Sequence, residues 1–382
     1  MMDENVKTKK IQTSECIQNY YTIDLSKEQN KSSIQDGYYD FLKSIPNNEY
    51  VIFEKVFGNL KYQHVIDEVH ARYLLHTKKT MHPITFIEGM PIDDSMFSGA
   101  VIHTVRYNEN VMPKIRYIAD DDIPYAAEYY INNVRKLYLT NSFQTRSLHD
   151  KLTSDMQVSF DKLRECMDLT KMHYHSLVRT WFYLNEIDTN YSDFNLVRRD
   201  FFDSLKIDYS EKSSQLPAST CIEGNNSGTN CSMQFYCCEK NSNVQFERVF
   251  NKDQNEAEGK DYLYQPTFSR AIKISYKDHI ELQISGTASI NDRGQTIYEN
   301  DPYNQMKRTL LHIKNLLDAV GMSFCDIVFS TCFYKDEKYF DLFETILSDL
   351  KINNFPAIHV MGNVCRNDLL FEMDAVAVRK ID

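Results

Sequence analysis

Residues 369–378, LLFEMDAVAV, read as a β-strand in which two carboxylates interrupt an apolar run. With a period of two, Leu370, Glu372, Asp374, Val376 and Val378 share one face, and Phe371, Met373, Ala375 and Ala377 share the other. The rest of the chain must hold this strand, and a carboxyl group in such a place is either tolerated by the fold or used by it. The chemistry is expected here.

At 382 residues the chain is long for one core, which suggests two or three domains. Its formal charge of −11 argues against nucleic acid or an anionic membrane as the main partner, because both would be repelled at long range. An anionic substrate would need a local basic pocket. No run approaches the roughly 18 apolar residues of a membrane span, and residues 1–30 lack an apolar signal core, so a cytoplasmic protein is expected. The nine cysteines fall at irregular positions, several inside expected strands and helices, where reduced Cys packs as a small apolar residue. Cys221, Cys231, Cys237 and Cys238 have neither a CxxC pair nor a nearby His, so no metal is expected among them.

Residues 1–35 are polar and are expected to form a loosely ordered leader. Strand-like runs follow at 50–53, 84–87, 97–105 and 115–117, and helical spacing appears at 125–139. A helix at 156–169 places Met156, Phe160, Leu163 and Met167 on one face, and a strand at 177–183 follows. The next helix, 191–205, is striped by Phe194, Val197, Phe201 and Leu205. Residues 215–230, rich in Ser, Gly, Asn and Pro, read as a loop or domain crossing; a strand at 233–238 and a polar surface excursion at 251–260 come after it. Beyond 266 the pattern sharpens into a hairpin, 268–276 with 279–290. A helix then opens at Asp301-Pro302 and stops at Gly321, followed by a strand at 326–334, a helix at 339–350 and the terminal strand.

Two segments repeat one order of events. A helix at 156–169 leads to a strand ending in Phe182-Tyr183, and a helix at 303–320 leads to a strand ending in Phe333-Tyr334. This implies an α+β fold of two like units, each packing helices on a mixed sheet. The expected division is a leader (1–35), an N-terminal unit (36–212) and a C-terminal unit (213–382).

The last third of the chain resembles the Rid (reactive intermediate deaminase) superfamily. The residues concerned are Ser285-Gly286-Thr287-Ala288, Gly294-Gln295-Thr296, Asp301, Gln305, Gly321, Asp326 and Glu372-Met373-Asp374-Ala375. Within it the sequence is similar to the chorismatases, through several further motifs. These are Arg179-Thr180-Trp181-Phe182-Tyr183 with Ile187, Tyr191, Phe194-Asn195 and Arg198; Pro217-Ala218-Ser219-Thr220; Phe268-Ser269-Arg270-Ala271; and Cys365-Arg366-Asn367-Asp368. The resemblance implies two Rid-like, chorismate-mutase-like units, the first degenerate, and a homotrimer without cofactor or metal. It also implies an enzyme that removes pyruvate from chorismate, a small dicarboxylate.

In that chemistry the enolpyruvyl methylene carbon must be protonated, so the acid must stay protonated near neutral pH. The resemblance assigns this to Glu372, whose apolar neighbours and Asp374 on the same face would raise its pKa. It assigns Arg270 to a substrate carboxylate, with Arg179 and Arg366 as candidates for the second. Cys365 stands where members forming 3-hydroxybenzoate resemble this chain, and a thiol there would assist proton transfer in that route rather than in hydrolysis to a dihydroxycyclohexadiene carboxylate. Tyr236 would line the pocket as a hydroxyl donor, or be core, and Ala288 would leave room. Two rival readings are a Rid-type enamine or imine deaminase and a non-catalytic oligomeric binding protein. The first lacks the arginine expected after Pro356-Ala357, where Ile358 stands.

Overall fold

The structure is a computed structural model that describes residues 5–26, 30–77, 79–93, 95–140, 151–210, 213–224, 229–254 and 266–381. Among the described residues, 17 strands form three sheets in succession along the chain. The first contains β1 (Val6–Gln12), β2 (Cys16–Asp24), β3 (Tyr50–Gly58), β4 (Ile84–Glu88) and β5 (Phe97–Tyr107), with α1 (Lys31–Ser44) and α2 (Gln63–His76) between strands. The second contains β6 (Ile115–Asp120), β7 (Ile123–Ile131), β8 (Val134–Thr140), β9 (Leu177–Leu184), β10 (Ala218–Glu223) and β11 (Cys231–Cys238), with α3 (Leu152–Thr170) and α4 (Ile187–Ser204). The third contains β12 (Gln245–Val249), β13 (Ala271–Ser275), β14 (His279–Ala288), β15 (Ile327–Tyr334), β16 (Ala357–Met361) and β17 (Phe371–Lys380), with α5 (Pro302–Ala319) and α6 (Phe340–Asp349).

All three sheets share one plan. A helix leads to a strand, a second helix leads to a strand parallel to it, and the last strand returns antiparallel into the sheet interior. The α+β class with mixed sheets stands, but the two units read from the sequence are three sheets. Each sheet buries one face under its own helices, in three separate apolar layers. The opposite faces meet in a common core, where Phe57 contacts Tyr183 (ring centroids 5.8 Å) and Phe333 (6.4 Å), one aromatic from each sheet. One chain supplies all three sheets around the shared core.

Several expectations are corrected by what surrounds the residues. The expected leader forms β1 and β2; β1 carries Lys7, Lys9 and Lys10 because it is an edge strand, where charge guards the open side. The helix expected at 125–139 is the hairpin β7–β8, turning at Asn132 and Asn133, both at positive φ (52° and 58°). Both strands are buried nearly throughout, so no alternation marks them. The crossing expected at 215–230 contains β10, parallel to β9. The excursion expected at 251–260 lies mostly outside the described residues. Elsewhere the sequence signals hold: the Asp301 side chain accepts from the Asn304 amide at 3.1 Å to cap α5, and Gly321 adopts a φ of 72° after it.

Candidate active site

The terminal strand β17 lies inside the third sheet between β14 and β15. Its alternation is as read: Phe371, Met373, Ala375 and Ala377 pack under the helices, while Val376 and Val378 face the common core. Glu372 and Asp374 are on the core side with them, yet their surroundings differ.

Asp374 is sealed. Its Oδ2 accepts from Arg179 Nη2 (2.9 Å), Trp181 Nε1 (3.0 Å) and Thr220 Oγ1 (2.8 Å), all from the second sheet. Burial lowers the Arg179 pKa to about 10, which leaves it charged at neutral pH and ion-paired with Asp374. Removing either partner of so buried a pair costs about 3–5 kcal/mol.

Glu372 opens into a pocket between the second and third sheets. Its walls are Tyr191 and Arg198 from α4, Ser219 and Cys221 from β10, and Phe268, Arg270, Gly286 and Ala288 around β13 and β14. Cys365, Arg366 and Leu369 close it from the loop before β17. Gln305 of α5 fixes that loop, donating to Asp368 O (2.9 Å) and accepting from the Leu370 amide (2.9 Å). The Glu372 side chain passes over Gly286, where any Cβ would collide with Oε1. Glu372 is only 6% exposed, and burial pushes its pKa up to about 8; Asp374 adds to the rise, while Arg270, Arg179 and Arg366 oppose it. At neutral pH the group is therefore a carboxylic acid with a proton to give.

Three guanidinium groups line the same space. Arg270 is 2% exposed and lies 5.0 Å from the Phe268 ring. Arg198 is held by Asn195 Oδ1 (2.7 Å) and the Phe194 ring (4.7 Å), and Arg366 donates to Gly294 O (2.7 Å). Burial beside Glu372 pushes the Cys365 thiol up to about 12, so it stays protonated.

Of the residues expected at the site, Glu372, Cys365, Arg270 and Ala288 line this cavity. Arg179 does not; it stands behind it, clamping Asp374. Tyr236 belongs to a different, smaller pocket in the common core, near the buried Lys136–Glu281 pair, and its hydroxyl donates to Glu281 Oε2 at 3.3 Å. The inner face of β11 points there, which only the packing of the sheets decides. Arg198 was quoted as a motif letter without a role; its place four residues after Phe194 and three before Phe201 puts an arginine on the apolar stripe of α4, the signal that marks it. Among the described residues, the one grouping of His, Cys and carboxylate side chains close enough to share a metal ion is Glu54, His70 and His82, under the helices of the first sheet and apart from this cavity.

Residues 265–379 match the profile of the family described as Endoribonuclease L-PSP. A crystal structure of a chorismatase superposes on 96% of this chain and on 100% of its own length, with a TM-score of 0.64 at 15% identity. The chain has the fold of a chorismatase. RidA from an Antarctic Psychrobacter aligns with 34% of this chain and 98% of its own, with a TM-score of 0.28 and 17% identity. Among curated proteins, the iron-sulfur cluster assembly protein SufD of Plasmodium berghei is 22% identical over 334 residues, which is 78% of this chain. The chain spans only 24% of the length of that relative. Within the chorismatase fold, the candidate cavity lies where the second and third sheets meet, and the profile match covers β13 to β17 of the sheet that carries Glu372, with β12 before it. Among the described residues, no helix is long and apolar enough to cross a membrane.

Proposed function

We propose that this chain is a chorismatase-like enzyme that releases pyruvate from chorismate, acting as a single chain rather than the homotrimer the resemblance implied. The observation that carries this is one buried carboxylic acid, Glu372, in a cavity walled by Arg198, Arg270 and Arg366. A dicarboxylate is drawn into an otherwise acidic protein by those three charges. Glu372 donates its proton to the enolpyruvyl methylene carbon, leaving an oxocarbenium ion and the Glu372 carboxylate. In hydrolysis, water adds to that ion and the resulting hemiketal collapses to pyruvate and a dihydroxycyclohexadiene carboxylate. In the intramolecular route the neighbouring ring hydroxyl attacks the ring carbon that bears the pyruvyl oxygen, and that C–O bond breaks to release pyruvate. The hydroxyl proton returns to the Glu372 carboxylate, and the arene-oxide-like intermediate opens and loses a ring proton to give 3-hydroxybenzoate. The protonated thiol of Cys365, on the wall of the same pocket as Glu372, assists that second route.

The test is product analysis after incubation with chorismate. Pyruvate with either ring product supports the reading and tells the routes apart; absence of turnover refutes it.

A further inference from the structure

In the first sheet, Glu54 of β3 is completely buried on the side that faces the helices. Three residues before the matched aromatics of the other two sheets stand only hydroxyls, Thr180 before Tyr183 and Ser330 before Phe333. The backbone is the same, since the Glu54 amide donates to Pro83 O (3.0 Å) as the Ser330 amide donates to Pro356 O (2.9 Å). A carboxylate in place of a hydroxyl in such a layer has to be compensated.

Two imidazoles converge on it from separate elements. His70 of α2 places Nε2 3.0 Å from Glu54 Oε1, and His82, just before β4, places Nε2 2.8 Å from Oε2. His70 and His82 are 5% and 3% exposed. The His70 Nδ1 lies 2.8 Å from Ile66 O, so it carries the proton and leaves the Nε2 lone pair of the neutral ring aimed at the carboxylate. Two lone-pair atoms so opposed need positive charge between them. A proton on His70 or a bound cation meets that need, and His82 Nε2, 2.8 Å from Oε2, either donates to the carboxylate or joins His70 as a second ligand.

We infer that Glu54, His70 and His82 bind a divalent transition-metal ion of the zinc class. The donor set is two imidazole nitrogens and a carboxylate, suited to such ions, and all three ligand atoms lie within 4.8 Å of one another. Bonds of about 2.0–2.2 Å put tetrahedral ligands about 3.3–3.6 Å apart, a few tenths of an ångström wider than the two histidine-to-carboxylate separations of 3.0 and 2.8 Å. The outer partners are those of a metal site: Ile66 O orients His70, and Tyr38 donates to Glu54 Oε1 at 2.7 Å and is the group at hand for the fourth position. The ion would tie α2 and the approach to β4 onto the sheet, and burial would make it load during folding.

The full chain, produced in zinc-containing medium and dialysed natively against a chelator, is unfolded in denaturant and its metal measured by mass spectrometry. About one zinc or related ion per chain is expected, and under about a tenth of that in His82→Gln. Because His82→Gln can fail to fold, wild-type protein is also unfolded with chelator and refolded with and without zinc. A melting temperature several degrees higher with zinc is expected. Metal-free wild type that melts identically with and without zinc overturns the inference, as does a folded His82→Gln that keeps its metal.

Discussion

The three sheets place the same strand within their interior, yet only the third sets a carboxyl group opposite its matched aromatic. Opposite the matched aromatics, Phe333 faces Glu372, Phe57 faces Gly99 and Tyr183 faces Ser232. At Gly99 any Cβ would strike Ile23 O (2.5 Å) and Ile358 Cδ1 (2.6 Å), so that junction is closed by packing. At Ser232 the hydroxyl is buried and donates to nothing among the described residues. Two residues along, Asp374 of the third sheet matches Val101 and Gln234, opposite Thr331, Lys55 and Trp181 respectively. The fold thus provides three similar junctions, and the candidate cavity is lined by side chains from the second and third sheets.

The sharpest way to break this contrast is Glu372→Gln, which keeps the shape and removes the acid. Pyruvate release from chorismate should fall by about 10²–10⁴-fold with unchanged circular dichroism; retained turnover would remove Glu372 from the reaction. Gly286→Ala should cost about 10²-fold in kcat, since the new methyl displaces Glu372 from its path. A variant of normal rate would show that the close approach is unimportant. Arg270→Gln should raise KM by about 10–100-fold through loss of a charged hydrogen bond to a carboxylate, and a KM unchanged in steady-state kinetics would argue against the clamp.

Effects on pH are subtler. Glu372 must be protonated, so kcat/KM should hold at neutral pH and fall as pH rises through about 8. Asp374 helps raise that value, so Asp374→Asn should move the alkaline limb to lower pH; a limb moved upward would contradict the assignment. Smallest of all is Ser232→Ala at the matched position of the second sheet. Turnover should be unchanged and thermal stability equal or slightly higher, because an unpaired buried hydroxyl is lost. A drop in activity would mean that the second junction is not silent.

How far the sequence foretold this differs between fold and site. The period-two pattern of 369–378 gave the terminal strand and both its faces, and Asp301-Pro302 and Gly321 marked the helix α5. The strands that escaped were those without alternation: β7 and β8 are buried on both faces, β1 is a lysine-bearing edge, and β10 lies in a Ser- and Pro-rich stretch. At the site, Glu372, Arg270, Cys365 and Ala288 were legible through resemblance. Tyr236 and Arg179 were not, because which way an inward strand residue points across three packed sheets is a property of the packing. Glu54, His70 and His82 are spaced without any recurrent motif, so only folding reveals their meeting.

The covalent linkage of the three sheets has a consequence for how such a site changes over time. In a ring of identical chains each substitution is made three times, and a carboxylate tolerated at one junction must be tolerated at all. Here Asp374 acquires Arg179, Trp181 and Thr220 from a neighbour that carries no reciprocal need. With three sheets on one chain each junction is encoded separately, so a substitution at one is not repeated at the other two.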